Sequence, residues 1–144
     1  MGSISSPASY TIMMHTATTV WLVDDDDDDL MLLKTAFGRV DSSVLLDTMR
    51  DGEDLVSRLQ HGADRPDFVI LDLNMDRLSG LETLREIRRQ FPCEALKIIV
   101  LTTSFNPDDR FRSEIMGAND FFLKPISLDG LTDLVRDLLR QWVR

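Results

Sequence analysis

Cysteine is nearly absent from this chain of 144 residues: Cys93 stands alone. One thiol cannot close an internal disulfide, so the fold rests on its core and nothing points to an oxidising compartment. Cations are scarce too, with 16 Lys and Arg against 25 Asp and Glu and a formal net charge of -9. Nucleic-acid binding draws on a basic footprint that displaces counterions from phosphate, and this balance argues against it. No apolar run reaches the ~20 residues of a membrane span. The first nineteen residues lack the positive start and apolar centre of a secretory signal. Met1-Gly2-Ser3-Ile4-Ser5-Ser6 fits the myristoylation pattern, but no polybasic patch or second anchor accompanies it. Residues 1–19 are therefore read as a flexible leader, His15 within it receives no role, and a cytoplasmic chain is expected.

What is present is an ordinary globular composition, 43% apolar and 28% charged, enough for one domain over residues 20–144. Short apolar runs punctuate it. Val20–Val23, Val44–Leu46, Phe68–Leu71, Lys97–Leu101 and Phe121–Leu123 each read as a strand, and continuous apolar runs suit strands buried on both faces. Helical spacing follows each of them. Leu30, Leu33 and Phe37 trace the first helix, with Asp28 and Asp29 as its caps and Gly38 as its stop. Leu55, Val56 and Leu59 mark a second helix ending at His61-Gly62, where His61 is a helix-end residue rather than a ligand. Leu81, Leu84, Ile87 and Phe91 mark a third, closed by Pro92. Pro107 opens the weakest pattern, running through Phe111 and Ile115, and Ser127 caps the last, whose core face is Leu128, Leu131, Leu134, Val135, Leu138 and Trp142. Strands alternating with helices call for a parallel sheet covered on both sides. Right-handed crossovers make it a flavodoxin-like, doubly wound (βα)5 α/β fold with strand order 2-1-3-4-5.

In that order strands 1, 3, 4 and 5 send their carboxyl ends to one rim. They deliver Asp24 and Asp25, Asp72, Thr102 and Lys124 respectively. Crowded carboxylates repel unless a cation joins them, and Mg2+ suits a site of few carboxylates with water and phosphate. Lys124 adds a fixed positive charge for an anion and Thr102 a hydroxyl donor. Taken singly, these residues are unremarkable: a surface lysine, a strand terminus, a capping aspartate. Their joint placement describes a phosphoryl-binding site beside a carboxylate that can be phosphorylated.

The segments WLVDDDDDDL, VILDLNMDRLSG, IIVLTTS and FFLKPI resemble the signature of response regulator receiver domains of two-component systems, chiefly the small single-domain, chemotaxis-regulator-like ones and those paired with phytochrome-like histidine kinases. The resemblance implies Asp72 as phosphoacceptor from a phosphohistidine of a histidine kinase or phosphotransfer protein. It implies Asp24, Asp25, Asp72 and the backbone carbonyl of Asn74 as Mg2+ ligands, and Lys124 as the phosphoryl's partner through a peptide bond to Pro125 that is often cis in the family. Thr102 and Phe121 become the switch pair, while Asn74 and Ser104 tune how long the acyl phosphate survives. The expected output is protein contact through the fourth helix, fifth strand and last helix, with a homodimer across the last helix and fifth strand, in a stand-alone module rather than an enzyme.

Two residues depart from the family pattern, Asp27 and Asp76, each standing where relatives commonly carry proline. Other readings fare worse. A phosphohydrolase forming an aspartyl phosphate wants a second aspartate two residues after the nucleophile, where Asn74 stands. A flavin site wants a Gly-, Ser- and Thr-rich phosphate loop after strand 1, where six aspartates would repel a phosphate. A Ca2+ loop counted from Asp24 wants Gly at Asp29 and Glu at Thr35. A degenerate receiver, folded but never phosphorylated, is disfavoured because every reacting group is present.

Overall fold

The computed structural model describes residues 17–62, 64–75 and 79–143. Most of the 1–19 leader, His15 and Asp76 lie outside the described residues. Ten elements alternate: β1 (Thr19–Val23), α1 (Asp27–Val40), β2 (Leu45–Met49), α2 (Gly52–His61), β3 (Phe68–Leu71), α3 (Gly80–Arg88), β4 (Ile98–Thr102), α4 (Pro107–Ile115), β5 (Asp120–Leu123) and α5 (Leu128–Trp142). All strand pairs are parallel and their order is β2-β1-β3-β4-β5, as the alternation of elements implies. No described helix is long and apolar enough to cross a membrane.

Successive strand residues point to opposite faces, which divides the core into two layers. Val20, Leu22, Phe68, Ile70, Ile99 and Leu101 pack against α1 and α5. Trp21, Val23, Val69, Leu71 and Ile98 face the other way, against α2 and α3. The three middle strands thus bury both faces, which is why FVIL and IIVL read as unbroken apolar runs. β2 is an edge strand and is only partly covered, exposed at Leu45, half-buried at Leu46 and buried at Met49.

Three helix boundaries differ from the sequence reading. The N-cap of α1 is Asp26, whose carboxylate accepts from the backbone N–H groups of Asp28 and Asp29; the two expected caps sit in the first turn. Gly38 does not stop α1, which runs on to Val40; the glycine faces open space and meets nothing that would end the helix. α3 ends at Arg88, before Pro92, where the Gln90 N–H reaches back only three residues to the Ile87 carbonyl and tightens the last turn. α4 presents Phe111 and Ile115 to solvent and buries Ser113, which accounts for its weak core pattern.

Candidate functional site

Each member of the rim constellation is carried there by a strand end. Asp24 follows β1 and its N–H donates to the Met49 carbonyl; Asp72 follows β3 and donates to Val23. Thr102 ends β4 and Lys124 follows β5, tied to the Thr102 carbonyl through its own N–H. The turn after Asp72 is packed closely. At Gly80 a Cβ would stand 2.4 Å from the Asp72 carbonyl oxygen and from Leu73 Cα, so only glycine lets α3 start this near the strand end. Ser79 and Glu82 close a reciprocal capping box there.

Asp24, Asp72 and Thr102 are buried, and Asp25 is half-buried. Asp24, Asp25 and Asp72 each offer a carboxylate oxygen, all lying within 4.8 Å of one another. Hard oxygen donors so gathered fit a divalent cation. Lys124 Nζ lies 2.8 Å from Asp24 Oδ2, 2.6 Å from Asp29 Oδ2 and 3.5 Å from Asp72 Oδ2. Burial pushes the Asp24 carboxyl up to about 6, with Lys124 and the Asp26 N–H pulling the other way. Burial also raises Asp72, again opposed by Lys124. For Lys124 burial favours the neutral amine, but Asp24, Asp29 and Asp72 outweigh it and the ammonium is held above its ordinary range. The charged form of the lysine is therefore secure, while its acids are the strained party.

Thr102 Oγ1 accepts from Asn74 Nδ2 at 3.4 Å and from the Ser104 N–H at 3.3 Å. With its acceptor side so occupied, the hydroxyl proton is left to donate, and Thr102 is among the groups that favour the charged form of Asp72. Ser104 turns its own hydroxyl to the carboxylate of Asp109 in the first turn of α4. Phe121 is buried with Leu73 and Val100, and the Arg110 guanidinium covers its ring at 5.8 Å from the centroid. All eight residues singled out from the sequence thus lie on or beside this rim.

Asp29 was not among them, although it contacts Lys124 most closely. It shares the helical stripe of Leu33 and Phe37, both buried, so the spacing that placed those two in the core would also have turned Asp29 inward. The bond from Lys124 to Pro125 differs from the family's frequent habit: no described peptide bond is cis, so it takes the intrinsically favoured trans form. At Asp27, where relatives commonly have proline, the first helical position carries an acid that pairs with Arg50 at 2.8 Å. An acid there suits the positive helix end, which replaces what a proline's fixed φ would give.

Residues 20–136 match the family model of the response regulator receiver domain. Over 128 residues the chain is 32% identical to the probable methanogenesis regulatory protein FilR2 of Methanothrix harundinacea, covering 86% of this chain and 83% of that one. Its structure resembles that of the phosphorylated cyanobacterial phytochrome response regulator RcpA, with a TM-score of 0.80, 30% identity and coverage of 88% and 94%. The Mn2+-bound form of response regulator Rcp1, a protein of Synechocystis sp., gives 0.76 and 28%, with coverage of 88% and 95%. Several longer relatives are matched over less than half of their length. Because the family match runs from β1 into α5 it takes in the whole sheet, and the chain belongs to the response regulator receiver domains, the signalling modules of two-component systems.

Proposed function

We propose that this receiver, spanning residues 20–144, accepts a phosphoryl group onto Asp72 from a phosphohistidine of a histidine kinase or phosphotransfer protein. The observation that carries the reading is the joint geometry of the rim: Asp72 has Lys124 Nζ at 3.5 Å and shares a space of 4.8 Å with oxygens of Asp24 and Asp25. Asp24, Asp25, Asp72 and the Asn74 carbonyl would hold Mg2+, which when bound neutralises the phosphoryl oxygens during an in-line displacement. The likeness to RcpA, solved phosphorylated, and to Rcp1, solved with Mn2+, supports this.

An Asp72 oxygen forms the new bond to phosphorus as the bond to the donor imidazole breaks and its electron pair returns to the ring nitrogen. Lys124 and the Thr102 hydroxyl bond the transferred oxygens. The acyl phosphate carries about -1.5 to -2 units of charge where the free carboxylate carried one. That charge draws Thr102 and biases the β4–α4 loop and Phe121, so the output surface is α4, β5 and α5, including a homodimer across β5 and α5. Asn74 and Ser104, both bonded to Thr102 Oγ1 beside the acceptor, set how long the acyl phosphate survives hydrolysis. The chain is read as a signalling phosphoacceptor rather than an enzyme acting on an added substrate, because Asn74 stands where an aspartyl-phosphate phosphohydrolase needs its second aspartate. A cleft of about 430 Å³ beside Lys124, rimmed by the exposed Phe105 and Ile126, offers the phosphohistidine partner an apolar seat.

The test is incubation with acetyl phosphate, with and without Mg2+, beside Asp72→Asn. A mass gain of one phosphoryl group is expected only in the parent chain with metal. Labelling without metal, or in the variant, would overturn the assignment of Asp72.

A further inference from the structure

The Lys124 ammonium has three N–H donors, and three carboxylates compete for them. Its short contacts are to Asp24 and Asp29; Asp72, the acid it must serve, is the farthest at 3.5 Å. Asp24 belongs to the trio suited to a cation, whereas Asp29 stands outside it. Asp29 is fixed by its place in the first turn of α1, where its N–H donates to the Asp26 carboxylate. Its side chain is 31% exposed against 11% for the lysine, so the pair is largely but not wholly shielded from water.

We propose that Asp29 is a positioning residue that holds the Lys124 ammonium toward α1 in the resting state, and that the phosphoryl group on Asp72 must draw the lysine away from it. This rests on Asp72 being the phosphoacceptor. A bound cation takes up part of the Asp24 charge, which leaves Asp29 as the resident acid still opposing the move. Asp29 therefore sets how firmly the phosphorylated state is held without touching the phosphorus.

Replacing Asp29 by Asn keeps the shape and the backbone contact to Asp26 but removes the charge. Binding of beryllofluoride, a phosphoryl mimic, measured by calorimetry in saturating Mg2+, should tighten about fivefold, the scale of a partly shielded ion pair. The acyl phosphate should survive longer by a similar factor. Asp29→Ser should behave in the same way, and Asp29→Glu should restore the parent values. In a Lys124→Gln background Asp29→Asn should leave beryllofluoride binding unchanged, because the effect passes through the lysine. Weaker binding in Asp29→Asn, or equal tightening without Lys124, would overturn the inference while leaving Asp72 as phosphoacceptor. Failure of the parent chain to bind beryllofluoride at all would overturn both.

Discussion

Among the described residues, Lys124 and Arg88 are both drawn out of water, and they are satisfied by opposite means. Lys124, at the carboxyl rim of the sheet, is met by the acids Asp24, Asp29 and Asp72. Arg88, at the end of α3, is met by neutral oxygens: Nε donates to Gly117 at 2.8 Å, Nη1 to Phe91, Pro92 and Leu96 at 3.1, 3.3 and 2.8 Å, and Nη2 to Asn119 Oδ1 at 2.8 Å. The same Asn119 oxygen accepts from the Ile98 N–H, so one side chain joins α3, β4 and the loop before β5. Burial lowers the Arg88 guanidinium, whereas the acids around Lys124 reverse that tendency. The Phe91 and Leu96 carbonyls depend on this guanidinium for their donor, so the Arg88 arrangement has one state. Acids around a lysine can be exchanged for another anion, so the Lys124 arrangement has more than one.

Arg88→Met is the strongest way to break this contrast. Leaving the Phe91 and Leu96 carbonyls without their donor should lower the unfolding free energy by about 3 kcal/mol, read from urea denaturation. The phosphorylation rate of the remaining folded fraction should stay near that of the parent. Lys124→Met should do the reverse in the presence of Mg2+. Its phosphorylation by acetyl phosphate should fall about 100-fold, as when one preorganised charge partner is removed, while the denaturation midpoint moves little. Equal destabilisation by the two substitutions would erase the distinction.

The smallest effect is expected from pH. In metal-free protein Asp24 keeps its proton up to about 6, against an ordinary 3.8, and Asp72 shifts in the same direction. Between those values the native state holds a proton that the unfolded chain has lost, so stability should rise as pH falls through that window. The unfolding free energy from urea denaturation should be higher near pH 5 than near pH 7 without metal, by on the order of 1 kcal/mol, and Mg2+ should cancel the gain by favouring the ionised acids. A midpoint that falls on acidification without metal would show that the rim acids are not strained.

The sheet and its reactive rim were legible in the sequence because both depend on local signals: unbroken apolar runs for β3 and β4, and single polar residues just beyond them. What escaped notice was the partnership between distant residues. Asp29 was hidden in a run of six aspartates that a solvated stretch would equally produce, and only its alignment with Leu33 and Phe37 set it apart. Arg88 received no role from the sequence. Its acceptors are mostly backbone carbonyls, which carry no residue-specific signal. Gly38 misled for a related reason: glycine stops helices when the chain turns there, and no turn was required.

The parallel order of the strands also dictates when the site can come into being. Asp24 and Lys124 meet across 100 residues, and β5 is the last strand of the chain and an edge of the sheet. As a chain emerges from the ribosome its earlier segments gather first. β1 and β3 can then face their acids toward one another before any lysine is available to quiet them. Docking of the final strand brings the missing charge, so the neutralisation of these acids waits on the end of the chain.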